Sequence, residues 1–317
     1  MNADVGYQTP AENLPWSPEI SLRSMVSSGV DLAILSFPAI SAGFVGEENR
    51  QKTRNLNLYA KKICNDHPGR FGFFATLPFL DDTQGALEEI RYALDELKSD
   101  GIGMPSSYGI GPEAKYIGHD AYDSIWAELN RRKAVVFLHG AQTPSSTPYP
   151  DPLLGIPIVE VPNETFKAAA HLVVTGRKRK YPDVKIILAH LGGSTPFLWC
   201  VSFMLCVAKM FRMISSARVA VLSKHMGCHL TPEEIIQDFK TFYYETALGA
   251  HETTLTAMQS FVSYEQILFG TDFPAVSTEM ADWYTKNLEV FYAEKRDVLE
   301  AIKYKNAKRL FPNLHVV

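Results

Sequence analysis

Short apolar runs alternate with long amphipathic stretches along most of the chain. The runs that resemble strands are Asp31–Ser36, Phe71–Leu77, Gly101–Met104, Ala134–Leu138, Val184–Ala189, Phe242–Glu245 and Ile267–Phe269. Near-continuous apolar runs of this length are typical of strands in a parallel sheet that is covered on both faces. The pattern therefore predicts seven buried, parallel strands.

The stretches between these runs have helical periodicity. In Thr83–Lys98, apolar residues recur at spacings of three and four, which places them on one face of a helix. We predict further helices over Pro18–Ser28, Glu47–Asp66, Ala121–Arg132 and Asn163–Arg179. Asp120 and Asn163 are residue types that favour N-caps, and we expect them to start the last two helices.

Strands that alternate with helices form βαβ units, and a run of such units predicts an α/β fold with a parallel sheet. Seven strands are one fewer than a closed eight-stranded barrel requires. The element before the first strand, Pro18–Ser28, already reads as a helix, so the strand that is lacking is the first. We predict a (β/α)8 TIM-type barrel without its first strand, formed as one domain over residues 1–317.

Composition excludes several classes of protein. The 317 residues are 46% hydrophobic and 21% charged, which are ordinary globular values. A formal net charge of −4 argues against nucleic acid as a partner, because phosphate binding needs a basic face. Four cysteines are too few for a disulfide framework and fit a cytoplasmic protein. Met1–Glu19 is polar and lacks an apolar core, so no signal peptide is expected.

The most apolar window, Phe197–Ala208, lies within a divergent insertion or helix near residues 197–229. Twelve residues are too few to span a bilayer, so a membrane anchor is not expected. A helix with apolar residues almost all round has one side for the barrel and another for a partner. We therefore predict an interface between subunits at this window.

Three predicted strands run directly into residues that can carry chemistry. They end at His139, at His190 of the sequence HLGG, and at Asp272 of the sequence GTD. In a barrel the carboxyl ends of the strands converge on one mouth, where active sites lie. Two imidazoles and a carboxylate suit zinc or a similar divalent ion. The structural alternative stays open for each, since a histidine after a strand is often hydrogen-bonded and an aspartate often caps the next helix.

Other candidates are weaker. The sequence HMGCH at His225–His229 resembles a metal clip but lacks four good ligands. His251 follows a predicted strand and either points into the mouth or lies at a helix start. The glycine-rich stretch Gly101–Gly111 lacks the strand–GxGxxG–helix context of a dinucleotide site.

Several segments together are similar to one family. They are Arg70–Pro78 (RFGFFATLP), Ala93–Ile102 (ALDELKSDGI), Trp126–Gly140 (WAELNRRKAVVFLHG), Tyr181–Gly193 (YPDVKIILAHLGG) and Ile267–Pro274 (ILFGTDFP). The combination resembles the amidohydrolase-2 branch of the metal-dependent amidohydrolase superfamily. That branch includes the aminocarboxymuconate-semialdehyde, γ-resorcylate, isoorotate and 6-methylsalicylate decarboxylases, and the middle segments look closest to the fungal 6-methylsalicylate enzymes.

The resemblance implies a distorted (β/α)8 barrel and a non-oxidative carboxy-lyase. It implies that His139 is a metal ligand, that His190 is a catalytic base, and that Asp272 is a metal ligand that also relays a proton. Members of the family assemble as dimers or larger, which implies a homodimer or higher homo-oligomer here.

The chain departs from the family in two places. The family's first strand ends in His-x-His or Glu-x-His and supplies two more ligands, whereas no such motif precedes Pro18. The polar, arginine-bearing helix that follows HLGG in the family is replaced by the sequence FLWCVSFMLCVAKMF. Either the gene model is divergent or the chain holds metal less well than its relatives.

We expect a metal-dependent decarboxylase of a hydroxylated aromatic acid, with zinc as the ion and manganese as its alternative. Phe37 and Phe273, at strand ends, are candidates for binding the flat substrate, with core packing as their other role. Two alternatives remain: a metal-dependent hydrolase of a lactone or amide, and a catalytically silent barrel. No nucleic-acid or membrane partner is expected.

Overall fold

The computed structural model describes residues 8–37, 44–109, 111–141, 151, 153–198 and 218–314. The strands in these residues are β1 (Ala33–Leu35), β2 (Phe71–Ala75), β3 (Gly101–Pro105), β4 (Ser107–Tyr108), β5 (Lys115–Tyr116), β6 (Val135–His139), β7 (Lys185–Leu188), β8 (Tyr243–Glu245) and β9 (Ile267–Leu268). Strands β4 and β5 form a small antiparallel pair. The other seven form one sheet in the order β1-β2-β3-β6-β7-β8-β9, and every neighbouring pair in it is parallel.

Helices separate the strands and cover the outside of the sheet. In the described residues they are α1 (Pro18–Ser27), α2 (Glu47–Asp66), α3 (Thr83–Arg91), α4 (Asp123–Arg131), α5 (Ile156–Val174), α6 (Arg177–Lys180), α7 (Thr195–Leu198), α8 (Arg218–His225), α9 (Pro232–Phe239), α10 (Glu252–Phe261), α11 (Thr278–Phe291), α12 (Arg296–Glu300) and α13 (Asn306–Leu310). This succession of parallel strands and helices confirms the predicted TIM-type fold.

All seven predicted strands of the parallel sheet are present, each within a few residues of its expected bounds. These strands could be predicted from the sequence because both of their faces are buried. Val136 and Leu138 of β6 pack against the helices, whereas Val135 and Phe137 face the barrel interior. Successive side chains of a strand point to opposite faces, so a strand buried on both faces is apolar without interruption.

The prediction that a helix starts at Asn163 is wrong. Helix α5 begins seven residues earlier, at Ile156, and Asn163 lies inside it with its side-chain amide donating to the Val159 carbonyl at 3.1 Å. Pro162 also lies in the helix interior. Proline is far more common in the first turn of a helix than in its interior, so the pair Pro162–Asn163 resembles a helix start that the tertiary fold overrides.

Asp120 does not cap the helix that follows it. The ring of His119 accepts the Ala121 N–H at 3.1 Å, and a short 3₁₀ turn, Asp120–Tyr122, leads into α4. The Asp120 carboxylate instead accepts a hydrogen bond from the guanidinium of Arg177. Arg177 is buried, and a buried cation needs anionic partners more than an exposed helix end needs a cap.

The interior of the barrel is filled by one residue from each of several strands. Phe74, Val135, Ile187 and Leu268 pack together there, and Phe311, which follows α13, packs against them. The Phe74 and Phe311 rings have their centroids 5.8 Å apart. The interior is therefore a packed core below the mouth, and Phe74 belongs to it.

Helix α5 approaches the loops after β6 and β7 unusually closely. A Cβ atom added to Gly140 would lie 2.2 Å from the Val161 carbonyl oxygen, and one added to Gly193 would lie 2.0 Å from the Pro162 carbonyl oxygen. Only glycine leaves room for backbone at such distances. The glycines that follow His139 and His190 in sequence therefore let this helix pack directly behind both histidines.

Most of the window Phe197–Ala208 lies outside the described residues, so the predicted interface there remains a prediction. Residues 1–7 also lie outside them. Among the helices that are described, none combines the length and the apolarity needed to cross a bilayer.

Candidate metal centre

His139 is the last residue of β6 and shares the inward-facing side of that strand with Val135 and Phe137. Its Nδ1 lies 2.8 Å from the Gly140 carbonyl oxygen. Burial, together with the neighbouring imidazole of His190, lowers the pKa of His139 to about 3. The ring is therefore neutral near pH 7 and keeps a lone pair available for a cation.

His190 lies two residues beyond β7 and has left-handed backbone, with φ of 56°. Its Nδ1 is 3.0 Å from the Ala247 carbonyl oxygen, and its backbone N–H donates to Glu245 at 2.6 Å. Leu191 is also left-handed, with φ of 52°. The left-handed backbone of these two residues turns the chain directly after β7 and directs the imidazole of His190 towards His139.

The two imidazoles meet through their Nε2 atoms, which are 3.1 Å apart. On each ring Nδ1 faces a carbonyl oxygen, which only accepts, so we assign a ring proton to Nδ1 of both histidines. When each ring carries only that proton, two Nε2 lone pairs face each other. Such a contact is repulsive unless a proton or a metal ion lies beside both nitrogens, and the donor set therefore fits a cation.

Asp272 completes the cluster from the loop after β9, again with left-handed backbone, at φ of 61°. One ligand atom each from His139, His190 and Asp272 lie within 4.8 Å of one another. Burial raises the pKa of the Asp272 carboxyl, and His190 opposes the shift. The three strand ends thus converge at one mouth, and two nitrogens with one oxygen form a donor set that divalent transition metals accept.

Glu245, the last residue of β8, is the residue that sequence reasoning missed. Glu245 is 7% exposed, and its carboxylate accepts the backbone N–H of His190 at 2.6 Å and that of Ala247 at 2.7 Å. Burial raises its pKa, while His190 and the two backbone donors oppose the shift. A glutamate that ends an aromatic strand is a sequence signal, because an unpaired carboxylate does not stay buried.

The other candidates lie apart from the three-residue cluster or stay untested. Phe273 follows Asp272 and is partly buried, and Phe37 lies two residues beyond β1 with 43% of its surface exposed. Their role in substrate binding stays a prediction. His251 is exposed at the start of α10 and stacks on Trp283. Within the described residues, the metal-capable clusters do not include His225 or Cys228.

Sequence comparison identifies the class of protein that has this barrel and this cluster of two histidines and an aspartate. The chain belongs to the amidohydrolase family, whose match covers residues 3–312. It is 37% identical over 305 residues to the 6-methylsalicylic acid decarboxylase acuB of Aspergillus aculeatus, a match that covers 95% of this chain and 87% of the relative. The resemblance inferred from the short segments is thereby confirmed.

Solved structures agree on the fold. An amidohydrolase II structure has a TM-score of 0.81 at 21% identity, covering 97% of this chain and 91% of that one. A dihydroxybenzoic acid decarboxylase from Polaromonas, solved with manganese and 2-nitroresorcinol, has a TM-score of 0.74 at 22% identity, covering 96% and 90%. Identities this low support the architecture alone.

Proposed function

We propose that this protein is a metal-dependent, non-oxidative decarboxylase of a hydroxylated aromatic acid of the 6-methylsalicylate type. The observation that carries the proposal is the meeting of His139, His190 and Asp272 at the mouth of the barrel. The similarity to a 6-methylsalicylic acid decarboxylase along most of the chain supports the reaction and the substrate class.

We assign the metal to His139 and Asp272, with zinc as the proposed ion because nitrogen and oxygen donors suit it. When bound, a divalent ion supplies positive charge that orients and offsets the substrate's carboxylate and neighbouring ring oxygen. His139 contributes Nε2, because its Nδ1–H is engaged by the Gly140 carbonyl. Asp272 contributes a carboxylate oxygen from the loop after β9.

His190 handles the proton. A hydroxyl group ortho to the carboxylate makes the ring carbon that carries the carboxylate basic. His190 first takes up a proton at Nε2, then delivers that proton to this carbon and returns to its Nδ1–H form. The bond to the carboxylate carbon then breaks, its electron pair restores the aromatic ring, and carbon dioxide leaves. His190 Nε2 regains a proton from solvent, and Asp272, whose pKa is raised by burial, is placed to relay it.

We further propose a cytoplasmic homodimer or higher homo-oligomer. Cys64 and Cys228, the cysteines of the described residues, are both free, which fits a reducing compartment. The proposal of an oligomer is based on the apolar window Phe197–Ala208, which we predict to be an interface between subunits.

The reaction is tested with purified protein loaded with zinc or with manganese, given 6-methylsalicylate in D₂O. We expect 3-methylphenol with one deuterium at the carbon that carried the carboxylate, and one carbon dioxide per product. Mass spectrometry and proton NMR measure both. A hydrolase would instead incorporate ¹⁸O from labelled water into a lactone or amide substrate and release no carbon dioxide, and a silent barrel would yield neither product.

His139→Ala is expected to lower the bound metal severalfold while leaving the fold largely intact, because His139 lies at the mouth rather than in the packed interior. Elemental analysis of matched preparations measures the metal, and circular dichroism checks the fold. His251→Ala is the matched control, since that histidine is exposed and stacks on Trp283. Equal metal content in the two variants would contradict the assignment of His139 as a ligand.

A further inference from the structure

Glu245 links the ends of two neighbouring strands. Its Oε1 accepts the His190 N–H, and its Oε2 accepts the Ala247 N–H. The carbonyl of Ala247 in turn accepts from the imidazole Nδ1 of His190, at 3.0 Å. One carboxylate therefore holds both the backbone of His190 and the peptide segment that fixes the tautomer of its ring.

The segment after β9 leaves space for the carboxylate of Glu245. A Cβ atom added to Gly270, which lies two residues beyond β9, would be 2.0 Å from Glu245 Oε2. Its backbone φ is not in the left-handed region, so the requirement for glycine here is one of space and not of conformation. The absence of a side chain at Gly270 therefore leaves the space that the carboxylate of Glu245 occupies.

His190 needs such support because its backbone is left-handed, a conformation that is uncommon for residues other than glycine. A hydrogen bond from a backbone N–H to a buried carboxylate is stronger than one between neutral groups. The 2.6 Å bond from His190 to Glu245 opposes relaxation of the turn. Without it, the imidazole would lose its orientation towards His139.

We propose that Glu245 is a positioning residue: by holding His190 and Ala247 together, it fixes the tautomer of His190 and directs Nε2 at the metal centre. The inference rests on the proposed function, since it concerns the residue assigned there to proton transfer. Glu245 itself makes no contact with substrate in this scheme and acts through His190.

Glu245→Gln tests the role at nearly constant volume. The glutamine amide has one acceptor oxygen and places its NH₂ donor against the other backbone N–H, so one of the two hydrogen bonds is lost. Glu89→Gln is the matched control. Glu89 is also a buried carboxylate, 3% exposed, but it accepts from Arg54 and Asn57 behind β2, away from the cluster. Both variants lose a buried acceptor, and only the first loses support for His190.

Three measurements are made on the full-length variants: the tautomer of His190 from imidazole ¹⁵N shifts, the dissociation constant for Mn²⁺ from calorimetry, and kcat and KM for 6-methylsalicylate. Glu245→Gln is expected to shift His190 from the Nδ1–H form towards a mixture and to lower kcat about 10²-fold, as misplacing a reacting group does, with a smaller effect on KM. Mn²⁺ binding is expected to stay within about twofold of the parent chain, because the assigned ligands are His139 and Asp272 and not His190. Glu89→Gln is expected to leave all three within about twofold of the parent chain, as a site without contact to the cluster should.

A rescue covers the case in which Glu245→Gln folds poorly. Gly270→Ala should displace the carboxylate and reproduce the loss, whereas Gly270→Ala combined with Glu245→Asp should recover much of it, because the shorter side chain withdraws from the added methyl group. An unchanged His190 tautomer in folded Glu245→Gln, or a double variant no better than Gly270→Ala alone, would overturn the proposal. If the parent chain fails to decarboxylate while the tautomer still depends on Glu245, the proposed function fails and the positioning role stands.

Discussion

Replacing His190 by asparagine is expected to lower kcat for 6-methylsalicylate by about 10²- to 10⁴-fold, the range typical of a lost proton-transfer group. Asparagine is chosen because it tolerates the left-handed backbone at this position better than alanine does. The loss then reports the imidazole rather than a relaxed turn. Steady-state kinetics measure the effect, and KM is expected to change far less than kcat.

Metal content decides how that loss is interpreted. With His139 and Asp272 as the ligands, His190→Asn should retain most of the bound metal, as measured by elemental analysis. A variant that keeps its metal and also keeps its kcat would remove His190 from the proton-transfer role. A variant that loses metal in parallel with activity would make His190 a third ligand instead.

Gly193→Ala is expected to destabilise the protein by about 3 kcal/mol or more, because strain and overpacking act together there. The backbone at Gly193 has φ of 59° and ψ of −119°, a combination that glycine adopts and alanine does not. The added methyl group would also collide with the Pro162 carbonyl. Urea unfolding, followed by circular dichroism, measures the change in the free energy of unfolding.

Two other glycines separate the causes. Gly176 has φ of 72° with nothing near its missing Cβ, so Gly176→Ala should cost only about 1–2 kcal/mol, the price of left-handed backbone. Gly140 lacks a left-handed φ, but its Cβ would lie 2.2 Å from the Val161 carbonyl, so Gly140→Ala isolates the collision, at about 1–3 kcal/mol. If Gly193→Ala proved no more damaging than Gly176→Ala, the close packing of α5 behind the histidines would be refuted.

The strands and the three clustered residues could be predicted because their signals are local. An apolar run that is followed closely by a histidine or an aspartate indicates both where a strand ends and which chemically active side chain lies at that end. The convergence of His139, His190 and Asp272 then follows from the geometry of a parallel barrel. Neither inference requires knowledge of which strands are neighbours.

Glu245 could not be recognised in the same way, because the partner that connects it to the cluster is not local. It accepts from His190, 55 positions away in sequence, and its space depends on the absence of a side chain at Gly270. The helix starts expected at Asp120 and Asn163 were wrong for a related reason. In both places a tertiary demand, the buried Arg177 or the packing of α5, prevailed over the local preference for a cap.

The packing of Phe311 on Phe74 joins residues that are far apart in the sequence. Because Phe311 follows every strand of the described residues, the interior layer of the barrel is completed only after the last of these strands and the helices that follow it have been made. Contacts between such distant segments form late, since the entropy of closing the long intervening loop must be overcome first. The packing of Phe311 is therefore expected to be one of the last steps of folding, after the strands that it covers have paired.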